Sequence, residues 1–304
     1  MLDSPKELAD LKPIRIEDQL TFVTAANEDD RTSWLYFFPF LHGFASGSTQ
    51  TLLWEKVNGA LCLYYLKERE SDHRLHLYLP PFPYSPEALK HGLQRSKDFN
   101  RTRSARIMWV EENQKDLIAG QGFDTEVVEQ EYIYDSELVR RREGSRFERL
   151  RRKVNQVNRI EGLEIRSYVK EDEEACLDLF DRWRRFLRDD RNIRVVGQNY
   201  QRNCIINALS FGDEILRGEV ILVDGRLCAF TFGGKITSAF GSLFVAVSDH
   251  AVPGLGYVQR THLFSNIDGV RFFNDSSDAG RSSLADVKKS FNPVAMNTLY
   301  RAFA

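Results

Sequence analysis

The sequence predicts a mixed α/β chain made of two similar halves. Three observations predict it. The chain has 304 residues, more than one average core needs and enough for two. Short β-patterned runs alternate with amphipathic helical patterns from end to end. Each half also carries an Asx-Gly dipeptide between β-rich runs, Asn58-Gly59 and Asp224-Gly225, the signature of a type I′ hairpin.

In the first half, "SWLYFFPFLHGFAS" (33–46) is a dense aromatic segment that reads as a buried helix. "TLLWEKVNGALCLYYLK" (51–67) is a hairpin turning at Asn58-Gly59. "HRLHLYL" (73–79) alternates as a strand and stops at Pro80-Pro81. "SPEALKHGLQRSKD" (85–98) opens with Ser and Pro in N-cap and first-turn positions of a helix. "ARIMWVEE" (105–112) is another strand, followed by a short helix, and "FDTEVVEQEYIY" (123–134) closes the half.

Next comes "SELVRRREGSRFERLRRKVNQVNRIEG" (136–162), in which nine residues are Arg or Lys. Only Gly144 stands against one continuous basic helix. The expected domains are therefore 1–135, a basic linker helix over 136–161, and 162–304.

The second half starts with strand "GLEIRSY" (162–168). In "EEACLDLFDRWRRFL" (173–187), Cys176, Leu179, Phe180, Trp183 and Leu187 fall on one helical face. A second helix covers about 199–211. "GEVILVDGRLCAFTFGG" (218–234) is the hairpin at Asp224-Gly225, and "AFGSLFVAVS" (239–248) a long apolar strand. "PGLGYVQRTHLFSNI" (253–267) runs from a Gly turn into a helix. Strand "VRFFND" (270–275), helix "SLADVKKSF" (283–291) and strand "NTLYRAF" (297–303) close the chain.

Composition narrows the function classes. The hydrophobic share is 42% and aromatics are 12%, so both halves can bury a core. Lys+Arg (42) and Asp+Glu (44) nearly cancel to a net charge of −2, so only a local patch can draw nucleic acid or an anionic membrane. The four cysteines are scattered, no leader pattern opens the chain, and no run approaches the roughly 18 apolar residues of a membrane span. A reducing cytoplasm is the simplest compartment. His73 and His76 face opposite sides of their predicted strand, and the other histidines lack ligand spacing, so no metal site is expected.

The order β-α-α-β-β-β-α-β-α-β in the second half is the layout of the GNAT acyltransferase fold, and the first half reads as a shorter copy. The chain resembles the tandem-GNAT domain at the C-terminus of lysylphosphatidylglycerol synthases, with its uncharacterised soluble branch. The matching pieces are "SWLYFFPFL", "EYIYDSELV…FERLRRKVNQVNRIEG", "LVDGRLCAFTFGG", "VPGLG" and "FFNDSSDAGRSSLADVKKSFNP", in the right order over most of the chain. The resemblance implies two GNAT-like domains and transfer of an aminoacyl group from a charged tRNA to a lipid head group. Fem peptidoglycan aminoacyltransferases share the double fold and the donor. The large membrane-spanning N-terminal part of the lipid-modifying enzymes is not in this sequence. The Asp278-x-Gly280 step before a Lys-containing helix looks like the soluble branch.

Three sets of residues carry candidate chemistry. Gly254-Leu255-Gly256 opens a helix, the turn that in GNAT enzymes aims backbone N–H groups at a pyrophosphate. Here no basic residue precedes it, which argues against ordinary acetyl-CoA use, and a plain strand-to-helix turn is the other reading. In the basic segment, Arg142, Arg146, Arg149 and Lys153 share a face if it is helical. They then either track tRNA phosphates or form a solvated linker paired with Glu143 and Glu148. In a further reading Arg151 and Arg152 instead face a site between the two domains.

The third set is the closing motif. Ser282 or Ser283 can cap the last helix, but a cap does not explain Asp275, Asp278 and Arg281 together. Asp275 or Asp278 can orient or deprotonate an attacking amine or hydroxyl, while Arg281 and Lys288 hold a phosphate or carboxylate. A structural Asp278–Arg281 bridge is the alternative. Tyr257 reads as a general acid or as a core tyrosine.

The expected function is an aminoacyltransferase using aminoacyl-tRNA, with an amine or hydroxyl acceptor on a small molecule or lipid head group. An acyl-CoA N-acyltransferase and a non-catalytic binding protein with the same fold are the rivals.

Overall fold

The computed structural model describes residues 8–45, 50–69, 72–189 and 199–304. Contacts group the chain into two compact units, Met1–Gln130 with Asn297–Ala304, and Glu131–Met296.

The first unit contains β1 (Lys12–Pro13), α1 (Gln19–Glu28), α2 (Phe38–Ala45), β2 (Gln50–Val57), β3 (Ala60–Arg69), β4 (Asp72–Leu77), α3 (Pro86–Asn100), β5 (Arg106–Glu111) and α4 (Lys115–Ala119). The Asn58-Gly59 hairpin forms as expected, with Val57 opposite Ala60 and both turn residues at positive φ (49° and 89°). Only a type I′ turn asks this of two successive residues, and Asn and Gly tolerate it best. Ser85 caps α3, its hydroxyl accepting from the Ala88 N–H at 3.2 Å. The aromatic segment folds as a short 3-10 turn, Trp34–Tyr36, followed by α2, with its last residue outside the described ones. Leu53, Tyr64, Leu77, Leu89, Ile107 and Val110 lie at the centre of this core.

Strand β6 (Asp124–Asp135) begins in the first unit, and its last five residues belong to the second. There follow α5 (Ser136–Arg141), α6 (Glu148–Val157), β7 (Leu163–Ser167), α7 (Glu173–Asp189), α8 (Asn199–Asn207), β8 (Arg217–Val223), β9 (Arg226–Lys235), β10 (Phe240–Ser248), α9 (Leu255–Asn266), β11 (Phe272–Asn274), α10 (Ser282–Lys289) and β12 (Ala295–Phe303). In the second unit the strands are ordered β6-β11-β10-β9-β8-β7, and β10 and β11 are parallel neighbours. The second hairpin turns at Asp224-Gly225 with φ of 51° and 75°.

Three expectations change. The basic segment is not one helix. Arg142 ends α5 in the left-handed region (φ 50°), Gly144 follows at φ 79°, and the buried Phe147 seats a 3-10 turn before α6 begins. Arg142 and Arg146 therefore do not continue the α6 face, whereas Arg149, Arg152 and Lys153 lie on α6. The N-cap of α10 is Arg281, and neither Ser282 nor Ser283 supplies a side-chain cap. Finally, β12, expected in the second half, pairs antiparallel with β5 and is grouped with the first unit.

On one face of the second sheet, α6, α9 and α10 bury a core that includes Leu150, Val154, Leu255, Phe264, Phe273 and Phe291. Burying each such large side chain is worth about 1.5–3 kcal/mol. Trp183, expected on the buried face of α7, is half-buried.

Candidate active site

Strands β10 and β11 run side by side only from Phe240–Ser242 and Phe272–Asn274. Beyond that point β10 continues to Ser248, whereas β11 ends and its chain turns away. A bulge between Leu243 and Val245 bends β10 at the same level. The two strands thus part at Ser242 and Asn274, and the closing motif begins where they part.

The first residue past β11 is Asp275, 1% exposed. Its carboxylate takes Arg260 Nε from α9 at 2.8 Å and Arg260 Nη2 at 3.4 Å. Lys288, from α10, is equally buried. Its Nζ donates to the Asp275 carbonyl, to the Ser277 carbonyl at 2.9 Å and to the Ser276 carbonyl at 3.2 Å, and lies 3.5 Å from Asp275 Oδ1. Burial draws the Lys288 ammonium down to about 8 despite the opposing pull of Asp275. For Arg260, burial works against the charge and Asp275 outweighs it, leaving the guanidinium above its usual value. Tyr134 completes the cluster, donating from its hydroxyl to the Lys288 carbonyl at 3.1 Å, and burial pushes its pKa far up.

This geometry corrects two roles expected from sequence. The Lys288 ammonium is surrounded by three carbonyls and a carboxylate, so it is not open to a phosphate. Asp275 is closed off by two cations, and it orders the site instead of facing a ligand. A buried ion pair needs such complete partnering, because an uncompensated charge there is costly.

The turn that follows carries the more open groups. Ser276, Ala279 and Gly280 have φ of 52°, 52° and 69°. Asp278 is half-buried; its Oδ2 accepts from the Tyr132 hydroxyl at 2.7 Å and its Oδ1 from the Gly280 N–H at 2.9 Å. Burial, with Asp278 beside it, pushes Tyr132 up to about 12. Among the described residues Asp278 and Arg281 form no salt bridge. Arg281 is half-buried and its Nε has no hydrogen-bond partner among the described residues. Burial and the neighbouring Arg260 charge draw its guanidinium below the usual value. On the other face of β11, Asn274 donates to Glu131 at 2.8 Å, and both are fully buried.

Gly254 is the N-cap of α9 at φ 95°. A Cβ there would lie 2.9 Å from Val157 Cγ2, so this glycine lets the end of α6 approach the start of α9. Gly256 has no such constraint, since its Cβ would meet only Arg260 Nη1 at 3.7 Å. Tyr257 is 9% exposed and stacks on Phe291 at 6.2 Å, which is the core placement of the two expected. On α6, Arg149 and Arg152 are exposed and Lys153 is half-buried. A surface depression of about 520 Å³ is lined by Glu148, Arg151, Arg152, Asn155, Gln156 and Arg159. Arg151 ties α6 to the preceding turn through the Arg142 and Gly144 carbonyls.

Arg260, Tyr132, Tyr134 and Glu131 were not anticipated. For Arg260 a signal existed: a lone charge within the largely apolar helix "LGYVQRTHLF" has to find an opposite charge when that helix is buried. The others are partners distant in sequence and left no local signal. Among the described residues, no cluster of three or more His, Cys, Asp or Glu side chains is placed to hold a metal, and no helix is long and apolar enough to cross a membrane.

The relatives share this architecture. The family described as "Phosphatidylglycerol lysyltransferase, C-terminal" matches residues 21–303, and the chain belongs to that family. No curated protein matches. A conserved protein of unknown function from Bacteroides thetaiotaomicron is similar over 97% of this chain and 99% of that one, at 20% identity and a TM-score of 0.78. L-PGS from Bacillus licheniformis is similar over 96% and 92%, at 16% identity and a TM-score of 0.67. A tandem GNAT protein from the clavulanic acid biosynthesis pathway is similar over 97% and 98%, at 11% identity and a TM-score of 0.52. The fold is therefore the tandem GNAT-like fold expected, and family and fold are those of acyltransferases.

Proposed function

We propose that this chain is an aminoacyltransferase that moves an aminoacyl group from aminoacyl-tRNA to an amine or hydroxyl acceptor. The observation that carries the reading is the junction of α6 and α9. Exposed Arg149 and Arg152 lie on α6, and the same helix ends at Val157, against Gly254 at the start of α9. Such a helix suits a long anionic donor whose phosphates run along it while its reactive end reaches the turn. In the transfer, the acceptor oxygen or nitrogen attacks the ester carbonyl. The ester C–O bond breaks, and the terminal ribose hydroxyl of the tRNA leaves with a proton. Asp278 is the carboxylate available to take the acceptor's proton, and Arg281 is the cation available to a phosphate or carboxylate on a substrate. The ester is already activated, so positioning supplies most of the acceleration.

A second reading has one observation in its favour. The parting of β10 and β11 leaves β10 extended beyond its parallel neighbour, an edge along which a pantetheine arm of acyl-CoA can lie.

Filter binding of a total aminoacyl-tRNA pool, with uncharged tRNA and acetyl-CoA as competitors, separates the two. Saturable binding that prefers charged tRNA and ignores acetyl-CoA is the expected result. Displacement by acetyl-CoA would favour the second reading instead.

A further inference from the structure

We propose that Lys288 is a positioning residue whose ammonium fills a cradle of three backbone carbonyls and so fixes the turn that carries Asp278 and Arg281. The carbonyls of Asp275, Ser276 and Ser277 converge on one point, and Nζ is at that point. Three oxygens aimed together repel unless a cation or several donors lie between them. The turn is also costly in itself. Ser276 and Ala279 both stand in the left-handed region, where the Cβ of any residue other than glycine crowds the backbone. Something outside the turn has to hold it, and Lys288 bonds three successive residues of it.

The charges around Nζ are arranged so that its removal would not strand another. Asp275, from the end of β11, is separately paired with Arg260 from α9. Asp278 is held by Tyr132 of β6, whose ring centroid lies 5.5 Å from Nζ, and Tyr134 of β6 bonds the Lys288 carbonyl. Arg281 follows in the turn, with no bond to the lysine. Lys288 therefore acts on Asp278 and Arg281 through the backbone.

Hydrogen exchange tests this without any assumption about substrate. The amides of Ser276, Gly280 and Arg281 are bonded inside the turn, to Asn274 Oδ1, Asp278 Oδ1 and the Asp278 carbonyl. In Lys288→Met these three amides are expected to exchange about tenfold faster or more, the effect of losing a charge-assisted hydrogen bond, while amides of β9 keep their protection. In Lys288→Ala, added propylammonium, which replaces the missing atoms, is expected to restore the slow exchange. Unchanged exchange in Lys288→Met would overturn the proposal. So would fast exchange that propylammonium does not reverse, because that would mean lost packing and not a lost cation.

Should neither variant fold unaided, propylammonium is expected to restore folding of Lys288→Ala, and no recovery of structure on its addition would overturn the idea. Only the consequence for turnover rests on the transferase reading, so loss of transfer in the wild type with this exchange pattern intact would count against that reading alone.

Discussion

Arg260 Nε and Asp275 Oδ2 lie 2.8 Å apart, on side chains that are 8% and 1% exposed, and their elements meet only through the folded core. The pair joins α9 to the end of β11, which is where β10 and β11 part. Asp275→Ala removes the only carboxylate within ion-pairing distance of both Arg260 and Lys288 among the described residues. A loss of about 3–5 kcal/mol is expected, as for other buried charges left without a partner. Urea denaturation measures it, and a loss under about 1 kcal/mol would mean that the pair does not hold the site together.

Titration of Lys288 has a definite sign. Its pKa in the folded chain, about 8, lies below the ordinary 10.5, so the folded state gives up this proton first. Between those values the unfolded chain binds the extra proton, and stability from this group rises with pH. Below pH 8 that gain is absent. Denaturation of wild type and Lys288→Met on either side of this window should therefore show wild type gaining on the variant as pH rises.

Gly254 and Gly256 stand two residues apart and play different parts in the fold. Gly254→Ala places a Cβ 2.9 Å from Val157 in a left-handed conformation and should cost about 1–2 kcal/mol. Gly256→Ala meets only ordinary van der Waals distance at 3.7 Å and should leave stability unchanged or slightly higher. Thermal melts of the two variants check this. A drop in donor affinity in Gly256→Ala at unchanged stability would support a backbone hydrogen bond to a phosphate.

Replacing Arg149 and Arg152 by Gln should weaken tRNA binding without lowering the melting temperature, because both side chains are exposed. The slope of log affinity against log salt should fall by about 1 for each phosphate that is no longer neutralised. An unchanged slope would remove α6 from the donor path.

Much of the fold was legible because local chemistry decides it. Asn58-Gly59 and Asp224-Gly225 have few alternatives to a tight hairpin, and Ser85-Pro86 announces α3. Cys176, Leu179, Phe180 and Leu187 are buried on α7 as their spacing predicts. The break at Arg142–Gly144 was less visible, because one glycine in a run of good helix formers is a weak signal until Phe147 finds its core. Pairing of β12 with β5 is a long-range choice that periodicity cannot express.

The candidate site divides in the same way. Asp275, Asp278, Arg281 and Lys288 drew attention by their density after a strand. Their division of labour did not, because Lys288 and Asp275 owe their burial to Arg260, Tyr132 and Tyr134 from α9 and β6. Nothing near residue 275 in the sequence records those partners.

Transfer from aminoacyl-tRNA is decided by following the aminoacyl label itself. Labelled aminoacyl-tRNA would be incubated with the chain and a mixture of small amines, amino-terminated peptides and lipid head groups, beside Arg281→Ala. Label should move to an acceptor faster than the ester hydrolyses alone, and Arg281→Ala should slow this transfer while remaining folded. Label lost only at the spontaneous rate, with acetyl-CoA consumed in its place under the same conditions, would contradict an aminoacyl-tRNA donor.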